Sequence, residues 1–173
     1  MRSFTISKSI EFDAGHRVPN HHSKCKSPHG HRYKVEVFLT GDLVETTTGA
    51  ASDEGMVADF GDLKNLMTTH IHDKLDHAFI VYEGDEKMLD AFQLTCYCPE
   101  GGIAREWASP LADVFDWKLV VFPYIPTAEN IAKWCWEALL TPIKNSFDTY
   151  SLFLDFVKVW ETPTSMAMYR GGY

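Results

Sequence analysis

His29-Gly30-His31-Arg32-Tyr33-Lys34-Val35-Glu36-Val37-Phe38-Leu39-Thr40 is the stretch that decides the fold. Its odd positions carry His, His, Tyr, Val, Val and Leu, with mostly polar residues between them. This period of two is that of a half-buried β-strand. His29 and His31 therefore share the inward face, roughly 6.5 to 7 Å apart along the strand, and both can reach one ion.

Toward the N-terminus the same period recurs. Residues 2–12 place Phe4, Ile6, Ile10 and Phe12 on one side. Lys8 falls on that side too, where its stem can lie along apolar surface while the ammonium reaches water. This strand is expected to end just before His16, with Gly15 permitting a sharp departure. Val18 to Pro28 is polar, punctuated by Pro19 and Pro28, and reads as a loop. Residues 12–31 hold five of the eight histidines, His16, His21, His22, His29 and His31, together with Cys25.

Toward the C-terminus, residues 41–55 read as a loop or hairpin. Asp59 or Asp62 is a fitting N-cap for a helix carrying Leu63, Leu66, Met67, Ile71 and Leu75, which runs out near Asp76-His77. Residues 79–118 are the least regular part, with a short helix over 85–94 and an excursion over 96–109. Residues 117–123 form a third, buried strand. Thr127 caps a helix with Glu129 in its first turn, burying Ile131, Cys135, Ala138 and Leu139 and stopping near Thr141-Pro142. Residues 152–161 make the last strand, ended by Thr162-Pro163. The order strand, strand, helix, strand, helix, strand gives a single α+β domain over 1–173.

Bulk properties narrow the function. A formal charge of −8 on 173 residues argues against nucleic acid as partner. No apolar run approaches the roughly 20 residues of a membrane span, and the alternating N-terminus is not a signal peptide. Cys25, Cys96, Cys98 and Cys135 read as free thiols in a reducing compartment, so a cytoplasmic location is expected.

The chemistry gathers around the histidines. Three neutral imidazoles with a fourth position open form a catalytic zinc site, and the open position acts as a Lewis acid. His29 and His31 come from one strand and His16 from the end of its neighbour. His21 and His22 are expected in solvent or behind the ligands. Cys25 has two readings: a fourth ligand closing the site, or a base or nucleophile beside the metal. A thiol needs a partner at neutral pH, and Asp76-His77 offers a carboxylate-oriented imidazole. Glu161 at its strand end is either solvated or aimed into a pocket, where it would suit an amidine-like group.

Six ordered motifs carry a resemblance: Phe12-x-Ala14-x-His16; Cys25-x-x-x-His29-Gly30-His31; Gly55-Met56-Val57-x-Asp59-Phe60 with Leu63-Lys64; Leu75-Asp76-His77; Pro126-Thr127-x-Glu129-Asn130; and Glu161-Thr162. In these the chain resembles the 6-pyruvoyl-tetrahydropterin synthase superfamily, over residues 4–78 and 118–162, and most of all its bacterial 6-carboxy-tetrahydropterin synthase branch. The three-residue gap between Cys25 and His29 fits that branch. The resemblance implies a tunnelling (T-) fold, a four-stranded antiparallel sheet with two helices on one face, closing into a barrel as trimers that stack into a homohexamer. It implies Zn2+ on His16, His29 and His31. It makes Cys25 the base, tuned by Asp76 and His77 from an adjacent subunit. Glu161 would anchor a pterin, with Thr127 and Glu129 lining its pocket. The implied reaction converts 7,8-dihydroneopterin triphosphate to 6-carboxy-tetrahydropterin with release of acetaldehyde and triphosphate, for queuosine synthesis.

Residues 79–83 depart from the Leu-Asn usual after Leu-Asp-His in that branch, and 93–117 look like an insertion. Within the insertion Cys96-x-Cys98 is either a second metal pair or incidental. Rival functions are the pyruvoyl-synthase activity, a pterin side-chain-cleaving paralogue, and a non-catalytic zinc module closed by Cys25.

Overall fold

The computed structural model describes residues 3–45, 52–97, 106–147 and 152–172. In chain order, β1 (Phe4–His16) leads through a single 3-10 turn at Lys24–Lys26 to β2 (His29–Gly41). Then come α1 (Phe60–Met67), a π-turn at Thr68–His72, α2 (Asp73–Leu75), β3 (Ala78–Tyr82) and α3 (Glu86–Ala91). β4 (Thr95–Tyr97), β5 (Glu106–Ala108), α4 (Pro110–Phe115) and β6 (Leu119–Phe122) precede the long α5 (Ala128–Ser146), and β7 (Phe153–Thr162) and β8 (Ser165–Tyr169) close the chain.

The main sheet has the order β6-β3-β1-β2-β7-β8. β1 and β2 pair antiparallel without a break from Phe4 opposite Gly41 to His16 opposite His29. β7 and β8 continue that antiparallel pattern. β3 and β6 extend the other edge in parallel.

One face of the sheet is buried. Phe12 and Ala14 on β1, Tyr33, Val35, Val37 and Leu39 on β2, and Leu154, Val157 and Val159 on β7 all point into it. Leu63, Met67, Ile71 and Leu75 cover them from the first helical segment, and Ile131, Cys135, Leu139 and Ile143 from α5. Each such side chain contributes about 1.5–3 kcal/mol on leaving water. Both helices start on expected caps. Asp59 Oδ1 accepts from the amides of Gly61 at 2.6 Å and Asp62 at 3.3 Å, so Asp59 is the cap and Asp62 lies inside the helix. Thr127 Oγ1 accepts from the Asn130 amide at 3.4 Å.

Several expectations are corrected. The sheet has six strands, not four, and it is mixed. Its antiparallel part is β1, β2, β7 and β8, while the strand expected at 117–123 lies at the far edge as β6, parallel to β3. β3 falls where the chain was expected to be irregular. Ala78, Ile80 and Val81 are buried there, and a short apolar run without alternation is what a parallel strand looks like. β1 runs through His16 rather than stopping before it. α5 continues past Pro142 to Ser146, because the next turn buries Ile143 in the core. Cys96 is exposed on β4, and Cys98 lies outside the described residues. Among the described residues no helix is long and apolar enough to cross a membrane.

Candidate active site

Strand alternation builds the site. His16 follows Phe12 and Ala14 on the inward face of β1. His29 and His31 precede Tyr33 on the inward face of β2. The register sets His16 directly opposite His29. The three imidazoles meet where the two strands leave the core, and one ligand nitrogen from each lies within 4.8 Å of the other two.

The rings are oriented from behind. His16 Nδ1 donates to the Pro126 carbonyl at 2.5 Å. His29 Nδ1 donates to the Ser27 carbonyl at 2.8 Å. A carbonyl only accepts, so Nδ1 carries a proton in both rings and Nε2 is the nitrogen left to ligate. His16 Nε2 and His31 Nε2 are buried and have no hydrogen-bond partner. Burial pushes the His16 imidazole down to about 4 and also lowers that of His31, which favours neutral rings. Three clustered imidazole nitrogens, two of the rings oriented by backbone carbonyls and two Nε2 atoms buried without a partner, are the donor set a metal ion requires, so these residues fit one.

Glu161 continues the inward face of β7 after Val157 and Val159. Its Oε1 lies 3.6 Å from His16 Nε2 and 3.8 Å from His31 Nε2. Both distances exceed a good hydrogen bond, so the carboxylate faces the imidazoles without being bonded to them. Tyr33 lies beneath, its ring centroid 5.9 Å from that of His16 and 5.7 Å from that of His31. Burial raises its phenol, and the charge of Glu161 acts in the same direction.

A cleft of about 250 Å3 opens above this floor, lined by His16, Cys25, Thr127, Glu129 and Glu161 among others. Five of the nine residues singled out from the sequence thus share one space, and His29 and His31 adjoin it through His16. Cys25 sits half-buried on the 3-10 turn and is a free thiol. It is not part of the set of mutually close ligand atoms. The cleft also takes in Val18, His21, Ala128, Ser165, Met166 and Ala167. His21 was expected in solvent or behind the ligands and instead helps line this space. Residues 165–167 of β8 were not foreseen, and only the turn residues Pro163-Thr164 signalled a second strand.

Asp76 and His77 form a pair but stand elsewhere. His77 Nδ1 and Asp76 Oδ2 are 2.7 Å apart. Asp76 Oδ1 accepts from the Asp13 amide at 3.0 Å, which holds its carboxyl below the usual range. Lys118 Nζ donates to the carbonyls of Asp73 and Asp76, both at 2.8 Å, fixing the turn. His77 is 80% exposed. It borders a second cleft of about 710 Å3, floored by Gly15 and Gly30 and walled by Phe79, Phe92 and Trp117. Cys25 does not line that cleft, nor does His77 line the first.

The family described as 6-pyruvoyl tetrahydropterin synthase matches residues 5–172. The chain belongs to that family. It is 32% identical to a 6-carboxy-5,6,7,8-tetrahydropterin synthase of Haemophilus influenzae over 96% of this chain and 99% of that protein. A solved protein of Wolinella succinogenes, described as uncharacterized, superposes with a TM-score of 0.73 at 26% identity, covering 99% of this chain and 100% of the other. A 6-pyruvoyltetrahydropterin synthase of Plasmodium vivax shares the fold at a TM-score of 0.67 and 19% identity, with both chains covered completely.

Proposed function

We propose that this chain is a zinc-dependent 6-carboxy-5,6,7,8-tetrahydropterin synthase. Its substrate would be 7,8-dihydroneopterin triphosphate, which with one water is converted to 6-carboxy-tetrahydropterin, acetaldehyde and triphosphate for 7-deazaguanine (queuosine) synthesis. The observation that carries the reading is the cleft in which His16, one of three clustered histidines, meets a free thiol and a carboxylate. The curated relative of that name, matched along nearly its whole length, supports it.

His16, His29 and His31 would hold zinc through Nε2. Zinc held there supplies Lewis acidity toward a substrate oxygen. The protein's own groups do the rest. Glu161 grips the 2-amino-4-oxo edge of the pterin, where a carboxylate accepts two parallel N–H bonds. Thr127 and Glu129, in the first turn of α5, border the ring. Cys25 as thiolate takes a proton from the substrate side chain, in the manner of a general base. Asp76 and His77 would serve a Cys25 on a neighbouring subunit, in a homohexamer of two trimers. In support, the pair is formed, exposed and outside the cleft of its own chain.

Two experiments test this. Purified protein given dihydroneopterin triphosphate should yield acetaldehyde, read by mass spectrometry. Triphosphate release without acetaldehyde would place it with the pyruvoyl-synthases, and no turnover would remove the catalytic reading. Mixing Cys25→Ala with His77→Ala, each inactive alone, should restore partial activity by forming hybrid sites. No restoration in mixed oligomers would rule out a shared site.

A further inference from the structure

His21 is left without a task by the proposed reaction, yet it lines the same cleft as Cys25. Val18 is the hinge. Its amide donates to the Cys25 carbonyl at 2.8 Å, and its own carbonyl accepts from the His21 amide at 3.3 Å. The loop therefore closes on itself, and Val18, His21 and Cys25 face one cleft.

The His21 ring is held by two contacts. Its Nδ1 accepts from the Ser23 amide at 3.1 Å. Its plane stacks on His22, with ring centroids 4.6 Å apart and 28° between planes. A nitrogen that accepts from an amide carries no proton, so the proton of the neutral ring is on Nε2. That Nε2–H has no hydrogen-bond partner among the described residues.

The other ionisable groups in the cleft cannot substitute. Glu129 and Glu161 are carboxylates and would repel an anionic sulfur. His16 uses Nδ1 on Pro126 and turns Nε2 to the other imidazoles. Lys24 and Lys26 flank Cys25 on its turn but are exposed and line no part of this cleft.

We propose that His21 is a positioning residue that donates its Nε2–H to the Cys25 thiolate, holding the sulfur anionic and aimed into the cleft. It does not take the thiol's proton, because its Nδ1 is occupied by the Ser23 amide. The catalytic part of this rests on the reading of Cys25 as base, but the hydrogen bond itself does not.

The test separates the two. Alkylation of Cys25 by iodoacetamide at neutral pH, followed on the Cys25 peptide by mass spectrometry, reports the thiolate without any pterin. His21→Ala and His21→Asn should slow it about tenfold, the scale of losing a hydrogen bond to a charged group. His21→Gln places an amide N–H near the Nε2 position and should stay within about twofold of the parent. Turnover of dihydroneopterin triphosphate should follow the same ranking in kcat, with KM and zinc content unchanged. Parent-like alkylation in His21→Ala, or an equal loss in His21→Gln, would overturn the proposal. If the parent fails to turn over the pterin, the enzymatic reading falls, while the alkylation ranking still decides the role of His21.

Discussion

The metal-free protein, titrated from pH 7.5 to 4 beside a His16→Asn variant, gives a direct measure of how the site is built. His16 is 1% exposed, and burial holds its imidazole at about 4. The Pro126 hydrogen bond opposes that shift, while the neighbouring His29 and His31 reinforce it. Unfolded, the ring titrates near 6.5. Between these values the unfolded chain binds a proton that the folded chain refuses, so stability falls as pH falls. The loss begins near 6.5, runs at about 1.4 kcal/mol per pH unit and levels off near 4. It totals about 3 kcal/mol. Asn keeps a donor for the Pro126 carbonyl and cannot titrate. Urea unfolding of both proteins across the range should therefore show the parent-minus-variant difference dropping by about 3 kcal/mol. Groups titrating alike in both cancel. A difference that stays constant with pH would mean that His16 is not buried as a neutral ring.

Three further outcomes follow from named contacts. Arg17 pairs side-on with the buried carboxylate of Asp85, Nε at 2.5 Å from Oδ2 and the second nitrogen on Oδ1, so Arg17→Met leaves a buried charge that only the Met88 amide partly meets. It should cost roughly 3 kcal/mol in chemical denaturation. Glu161→Gln should raise KM for the pterin about tenfold while retaining metal by elemental analysis, since a neutral amide cannot accept both N–H bonds. Cys25→Ala should keep its zinc and lose turnover; loss of zinc in that variant would make Cys25 a ligand.

The alternation in 29–40 was enough to put His29 and His31 side by side, because a period of two allows only one register against a buried face. Caps at Asp59 and Thr127 were legible for a similar reason: each satisfies amides that no other group can reach. β3 was not legible. Ala78-Phe79-Ile80-Val81-Tyr82 has no alternation, since a strand paired on both sides and covered has no solvent face to mark. Pro142 misled in the opposite direction. Losing one amide donor costs less there than leaving Ile143 out of the core. His21 gave no pattern at all. Its place depends on the Val18 hydrogen bonds, which join residues seven and three apart in a loop without periodicity.

The same alternation explains why one chain keeps its candidate groups apart. His16 and Gly15 are successive residues on β1, and His31 and Gly30 on β2, so their positions point to opposite faces of the sheet. His16 opens on the cleft that holds Cys25 and Glu161. The glycines form the floor of the second cleft beside His77, and His31 also borders that cleft. That floor must be bare: a Cβ on Gly15 would stand 2.7 Å from the Phe79 ring, and one on Gly30 3.0 Å from the Ala14 carbonyl. No side-chain rotation carries His77 through a paired, fully hydrogen-bonded sheet to Cys25. If the Asp76–His77 pair tunes that thiol, two copies must meet with the reverse face of one against the cleft of the other. Within a single chain His21 lines the cleft that holds Cys25, and its Nε2–H can support a thiolate but not accept its proton.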